Sequence, residues 1–104
     1  MIPIHPGRIL KRELAARGLS ANRLALGLRV PSGRITDILN GKHGITPETA
    51  LRLARAFGTS ADFWMNLQTR YDLTIAKQSI GAKVVAEVQQ VDAVTQIGKR
   101  RKAA

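Results

Sequence analysis

The chain contains no cysteine among its 104 residues, which excludes disulfide staples and thiolate metal sites and fits a reducing compartment, so the expected location is the cytoplasm. Aromatic residues are scarce too: two Phe, one Trp and one Tyr. RNA-reading modules stack bases on exposed aromatic rings, and so few rings, at spacings that suggest burial, count against that class. No apolar run approaches the roughly 20 residues of a membrane helix. The start, MIPIHPGR, has neither an apolar h-region nor a cleavage motif, so no signal peptide is expected. Acidic residues are few. Seven Asp and Glu face seventeen Lys and Arg, for a net charge of +10 and a sequence pI near 11.4.

Residues 1–60 carry ten basic and three acidic residues, and residues 61–104 carry seven and four. The positive excess therefore belongs to the body of the chain and not only to its basic end. Such a field favours polyanions, nucleic acid foremost. The length predicts a single domain with a modest core.

Punctuation along the chain predicts helices. In HPGRILKRELAARG, Pro6 suits a first turn, Gly18 suits the position past the end, and Ile9, Leu10 and Leu14 form the apolar stripe. Ser20 caps a second helix whose inward residues are Leu24, Ala25 and Leu28. A third starts at Pro31 or Ser32, buries Ile35, Ile38 and Leu39, and stops at Asn40-Gly41. Thr46 caps a fourth, with Ala50, Leu51, Ala54 and Phe57 as its stripe and Gly58 at its end. Ser60 caps a fifth over 61–77, with Phe63, Leu67 and Tyr71 at helical spacing and Phe63, Trp64 and Leu67 assigned to the core. Beyond residue 77, Ile80, Val84, Val88 and Val91 lie near helical spacing, although Val84, Ala86 and Val88 also alternate as in a strand. Helix is the preferred reading there, with Gly81 as an interruption. The expected organisation is a DNA-binding domain over 1–77, a C-terminal extension over 78–92 offering a dimer contact, and a basic, mobile tail over 93–104.

Residues 20–41 carry the functional signal. Only Arg29 to Pro31 separate the stripes of the second and third helices, too few for an antiparallel hairpin, so the two helices must cross steeply. That is helix-turn-helix geometry, in which the N-terminal end of the second helix enters the major groove. Ser32 and Gly33 are small enough for close approach. Arg34 is the leading base reader, since arginine on guanine is the commonest specific contact. Thr36 contacts base or phosphate, and Asp37 can accept from a cytosine amino group; Ser32 is either a contact or a plain N-cap. Asn22 and Arg23, in the first turn of the preceding helix, suit a phosphate. Asn40 closes the reading helix and Lys42, just beyond it, suits a phosphate.

The segment LALGLRVPSGRITDILNGK resembles the helix-turn-helix of the lambda-repressor-like (Xre) regulators. The wider pattern, HPGRILKRELAARGLS followed by ILNGKHGITPETALRLARAFGTSADFWMNLQTRYDL, is similar to the HigA antitoxins, the VapI-like addiction-module antidotes of toxin–antitoxin systems. This resemblance, spanning residue 5 to about residue 77, implies an all-α, five-helix lambda-repressor-like domain with a short C-terminal extension. It also implies a dimer that binds operator DNA, represses its own operon and inhibits a small RelE-like (HigB) mRNA endonuclease toxin. The sequence departs from the Xre pattern at Arg29, where glycine is usual: either Arg29 takes positive φ at a cost, or Gly27 lets the helix end earlier. A solitary Xre-type repressor without a toxin is the second reading, and a basic RNA-associated protein the third. No nucleophile elbow, phosphate loop or paired carboxylates are present, so an enzyme is not expected, and no cofactor is implied. His5 and His43 lack a carboxylate or cysteine partner in sequence; no metal site is expected, and His5 reads as a cap before Pro6.

Overall fold

The computed structural model describes residues 1–91 of the protein, built from five α-helices: α1 Pro6–Arg17, α2 Ala21–Leu28, α3 Ser32–Leu39, α4 Pro47–Phe57 and α5 Ala61–Glu87. Among the described residues there is no strand, and no helix is long and apolar enough to cross a membrane. The basic run Lys99, Arg100, Arg101 and Lys102 lies outside them.

The helices begin where local chemistry satisfies their free N–H groups. Ser20 Oγ accepts from the Arg23 N–H at 3.1 Å, Thr46 Oγ1 from Thr49 at 3.3 Å and Ser60 Oγ from Phe63 at 3.0 Å. His5 caps α1 through Nδ1, which accepts from the Gly7 N–H at 2.9 Å. Gly18 and Gly58 end α1 and α4 at φ 61° and 70°.

The core is formed by Leu10 and Leu14 of α1, Leu24, Ala25 and Leu28 of α2, Ile35 and Ile38 of α3, Ile45 of the following loop, Ala50 and Leu53 of α4, and Trp64 of α5. Glycine is required at one crossing: a Cβ on Gly7 would overlap the Ile38 carbonyl, so α1 passes α3 with backbones almost touching. Gln68 of α5 pins the loop after α3, its Oε1 accepting from the Ile45 N–H at 2.7 Å.

Three expectations need correction. Leu51 is 64% exposed, and Leu53, absent from the expected stripe, is fully buried. The inner ridge of α4 runs through Thr49, Ala50 and Leu53, and Leu51 lies to one side of it. Phe63 is 42% exposed while Trp64 is wholly buried, with the Trp64 Nε1–H donating to Thr59 Oγ1 at 2.9 Å. One indole with a bonded polar tip fills the α5 contact and leaves Phe63 edge-on against it at 5.1 Å between ring centroids. The third concerns Gly81, which interrupts nothing: α5 runs unbroken through residues 77 and 78 to Glu87. One helical glycine costs about 1 kcal/mol, whereas a strand would need a partner strand for its N–H and C=O groups. Along the last turns, Ile80, Val84, Val85 and Val88 are exposed.

Candidate nucleic-acid interface

The turn between α2 and α3 positions the candidate site. At the end of α2 the Val30 N–H reaches the Ala25 carbonyl at 3.0 Å and the Arg29 N–H reaches that of Leu26 at 3.2 Å. This paired closure needs a left-handed residue, which Gly18 supplies at the end of α1. Here Arg29 supplies it, at φ 59° and ψ 46°. Helix α2 does not end early at Gly27, and the positive-φ alternative is the one adopted.

Helix α3 then starts from Pro31, whose extended backbone provides no side-chain cap. Its first turn, Ser32, Gly33 and Arg34, is exposed. Ser32 is the first helical residue, not the cap, and its carbonyl accepts from Thr36 Oγ1 at 3.2 Å. With Ile35 and Ile38 turned into the core, helical spacing puts Gly33, Thr36, Asp37 and Asn40 on the opposite face, with Ser32 at its border on the side of Ile35. Arg34 lies at the border of that face, on the side of Ile38. Asn40 and Lys42 follow at the end of the helix, both exposed, and Asn22 and Arg23 are exposed in the first turn of α2.

Two of these side chains have partners that sequence spacing did not suggest. Arg34 Nη1 lies 3.4 Å from Glu48 Oε1, in the first turn of α4. The other oxygen of Glu48 accepts from Arg52, with Nη2 at 3.1 Å, and Arg52 Nη1 donates to the Leu28 carbonyl at 2.8 Å. Asp37 Oδ2 lies 3.5 Å from His43 Nδ1, and its carbonyl accepts from the Lys42 N–H at 2.8 Å, so this acid is tied to the loop behind the helix. Glu48 and Arg52 were missed because they sit fourteen or more positions from their partners. Only their i,i+4 relation to each other is a sequence signal, and it points along α4. Among the described residues no group of three or more His, Cys, Asp and Glu side chains could hold a metal ion.

The helix-turn-helix family profile matches residues 10–64. An addiction-module antidote protein of the HigA family from Coxiella burnetii has a similar structure, with TM-score 0.85 and 50% identity over 88% of this chain and all of that one. The chain belongs to the helix-turn-helix family, among its HigA-type members. Virulence-associated protein I of Dichelobacter nodosus is 52% identical to this HigA-type chain over 79 residues, which make up 75% of it and 73% of that protein. The Pseudomonas aeruginosa antitoxin HigA, solved with the higBA promoter, superposes with TM-score 0.83 and 42% identity over 85% of this chain and 97% of its own. The profile match runs from Leu10 in α1 through α2, α3 and α4 to Trp64 in the first turn of α5. The expected all-α, lambda-repressor-like architecture is met.

Proposed function

We propose that this protein is a sequence-specific DNA-binding antitoxin that represses its own operon and inhibits a HigB-like mRNA endonuclease. The observation that carries the DNA reading is the exposed, uncapped first turn of α3, held forward by the left-handed turn at Arg29. Its small residues let backbone N–H groups approach the duplex, and Arg34 can present paired donors to guanine O6 and N7. Thr36 and Asp37 stand one turn further along. Asn22, Arg23, Asn40 and Lys42 flank the reading turn and serve phosphates, which fix register without reading sequence. The P. aeruginosa antitoxin HigA, solved with the higBA promoter, supports DNA binding by a chain of this fold.

A single module reads few base pairs, so two copies on a two-fold operator are expected, with half-sites about one DNA turn apart. The exposed row Ile80, Val84 and Val88 on the projecting end of α5 is the proposed contact between copies.

Selection from randomised duplexes at about 150 mM salt tests the DNA arm. A two-fold site with a footprint spanning both halves is the expected outcome. A monomer whose footprint covers one half-site, or enrichment of no sequence, would refute it. Co-expression with a HigB-like toxin tests the antitoxin arm. Rescue of growth and co-purification are expected; operator binding without a toxin partner would leave a solitary repressor.

A further inference from the structure

Glu48 is an acid placed where a basic, DNA-seeking surface has no evident use for one. It stands in the first turn of α4, its side chain 58% exposed, with one carboxylate oxygen on Arg34 and the other on Arg52. Arg52 in turn closes the end of α2 through the Leu28 carbonyl. A single carboxylate thereby ties the reading turn of α3 to the last turn of α2, across the strained turn at Arg29. Its second oxygen is held by Arg52, which limits the swing of the carboxylate. Among the described residues only Nη1 of Arg34 is engaged, which leaves the Nε and Nη2 edge for a bidentate base contact.

We propose that Glu48 is the positioning residue that makes Arg34 discriminate between bases. This rests on the DNA reading above. Two effects act together. Guanidinium rotation is restricted before binding, so the donor pair meets the base already oriented. The carboxylate also repels phosphates and occupies the Nη1 end of Arg34, which weakens attachment to arbitrary DNA by a chain whose net charge is +10. The exposed pair is weak, so it restrains Arg34 without trapping it.

The test measures parent, Glu48→Gln, Arg34→Ala and the double variant on the selected operator, on its single-base variants and on random duplex. Glu48→Gln keeps an acceptor oxygen and the shape but loses the charge. It should tighten binding to random duplex yet lower the operator-to-random ratio by about three- to tenfold. It should also flatten preference at the one base-pair position that Arg34→Ala erases. In the Arg34→Ala background the same change should leave the ratio unaltered. Thermal melts establish that each variant is folded. Equal tightening on operator and random DNA would mean that Glu48 acts only as a charge, and the proposal falls. So it does if the ratio drops as much without Arg34. If Arg34→Ala itself retains the parent's full base preference, the role of Arg34 in the DNA reading fails independently of Glu48.

Discussion

Arg52 of α4 donates to the Leu28 carbonyl at 2.8 Å, so a residue of one helix completes the end of another. The Ala25 and Leu26 carbonyls are satisfied within the turn, and the Leu28 carbonyl takes its partner from Arg52. Arg52→Ala should therefore destabilise the fold by about 1–2 kcal/mol, since a charge-assisted bond at a partly buried site is lost. Urea denaturation checks this, and a loss below about 0.3 kcal/mol would show that water replaces Arg52 at no cost.

Gly27 and Arg29 look exchanged. Glycine lies inside α2, where an added Cβ would meet nothing within 4 Å, and arginine takes the left-handed position that glycine prefers. Gly27→Ala should raise stability by about 0.5–1 kcal/mol through helix propensity. Arg29→Gly should raise it by a similar amount, roughly 0.5–1 kcal/mol, by relieving the Cβ clash at positive φ. Melting temperature and urea midpoint should both rise. A clear loss for Arg29→Gly would mean that its side chain holds the turn in a way its backbone does not reveal.

Stability should fall in mild acid because of His5. Burial lowers the pKa of this ring, against opposing effects from the nearby Asp72 charge and a backbone hydrogen bond with His43. Its Nδ1 also accepts the capping bond from Gly7, and protonation at that atom would abolish the cap. The unfolded chain thus binds the proton more readily. Stability is full above the ordinary histidine value of about 6.5 and is lost progressively as pH falls through it toward the lowered folded value. His5→Asn retains a capping acceptor without a proton to gain, so its melting temperature should vary less between pH 7.5 and 5, both values being about one unit or more from 6.5. An unchanged pH profile in that variant would exclude His5 as the source.

On the proposed operator, Arg34 and Lys42 should respond differently to truncation. Arg34→Ala should cost roughly 1–3 kcal/mol per half-site and relax preference at one base-pair position. Lys42→Ala should weaken all sequences alike and lower the salt slope by about one per protomer. Ile38→Ala, fully buried, should act instead through folding, at roughly 2–5 kcal/mol. Binding to single-base operator variants at several salt concentrations separates the three.

The sequence by itself determined where α1, α2, α4 and α5 begin and where α1 and α4 end. Ser20, Thr46 and Ser60 cap as their positions imply, His5 caps before Pro6, and Gly18 and Gly58 close their helices. Each of these is a contact within a few residues, written in chain order. The crossing of α2 and α3 was legible for the same reason, because three residues between two helices leave the chain little choice. Tertiary structure decided what depends on distant neighbours. It turned Leu53 inward and Leu51 out, and chose Trp64 over Phe63 for the core. It also set Glu48 against Arg34 and His43 against Asp37, giving the reading turn partners that no periodicity could supply. Burial and ion pairing are properties of the surface a helix meets, and that surface exists only once the other helices are in place.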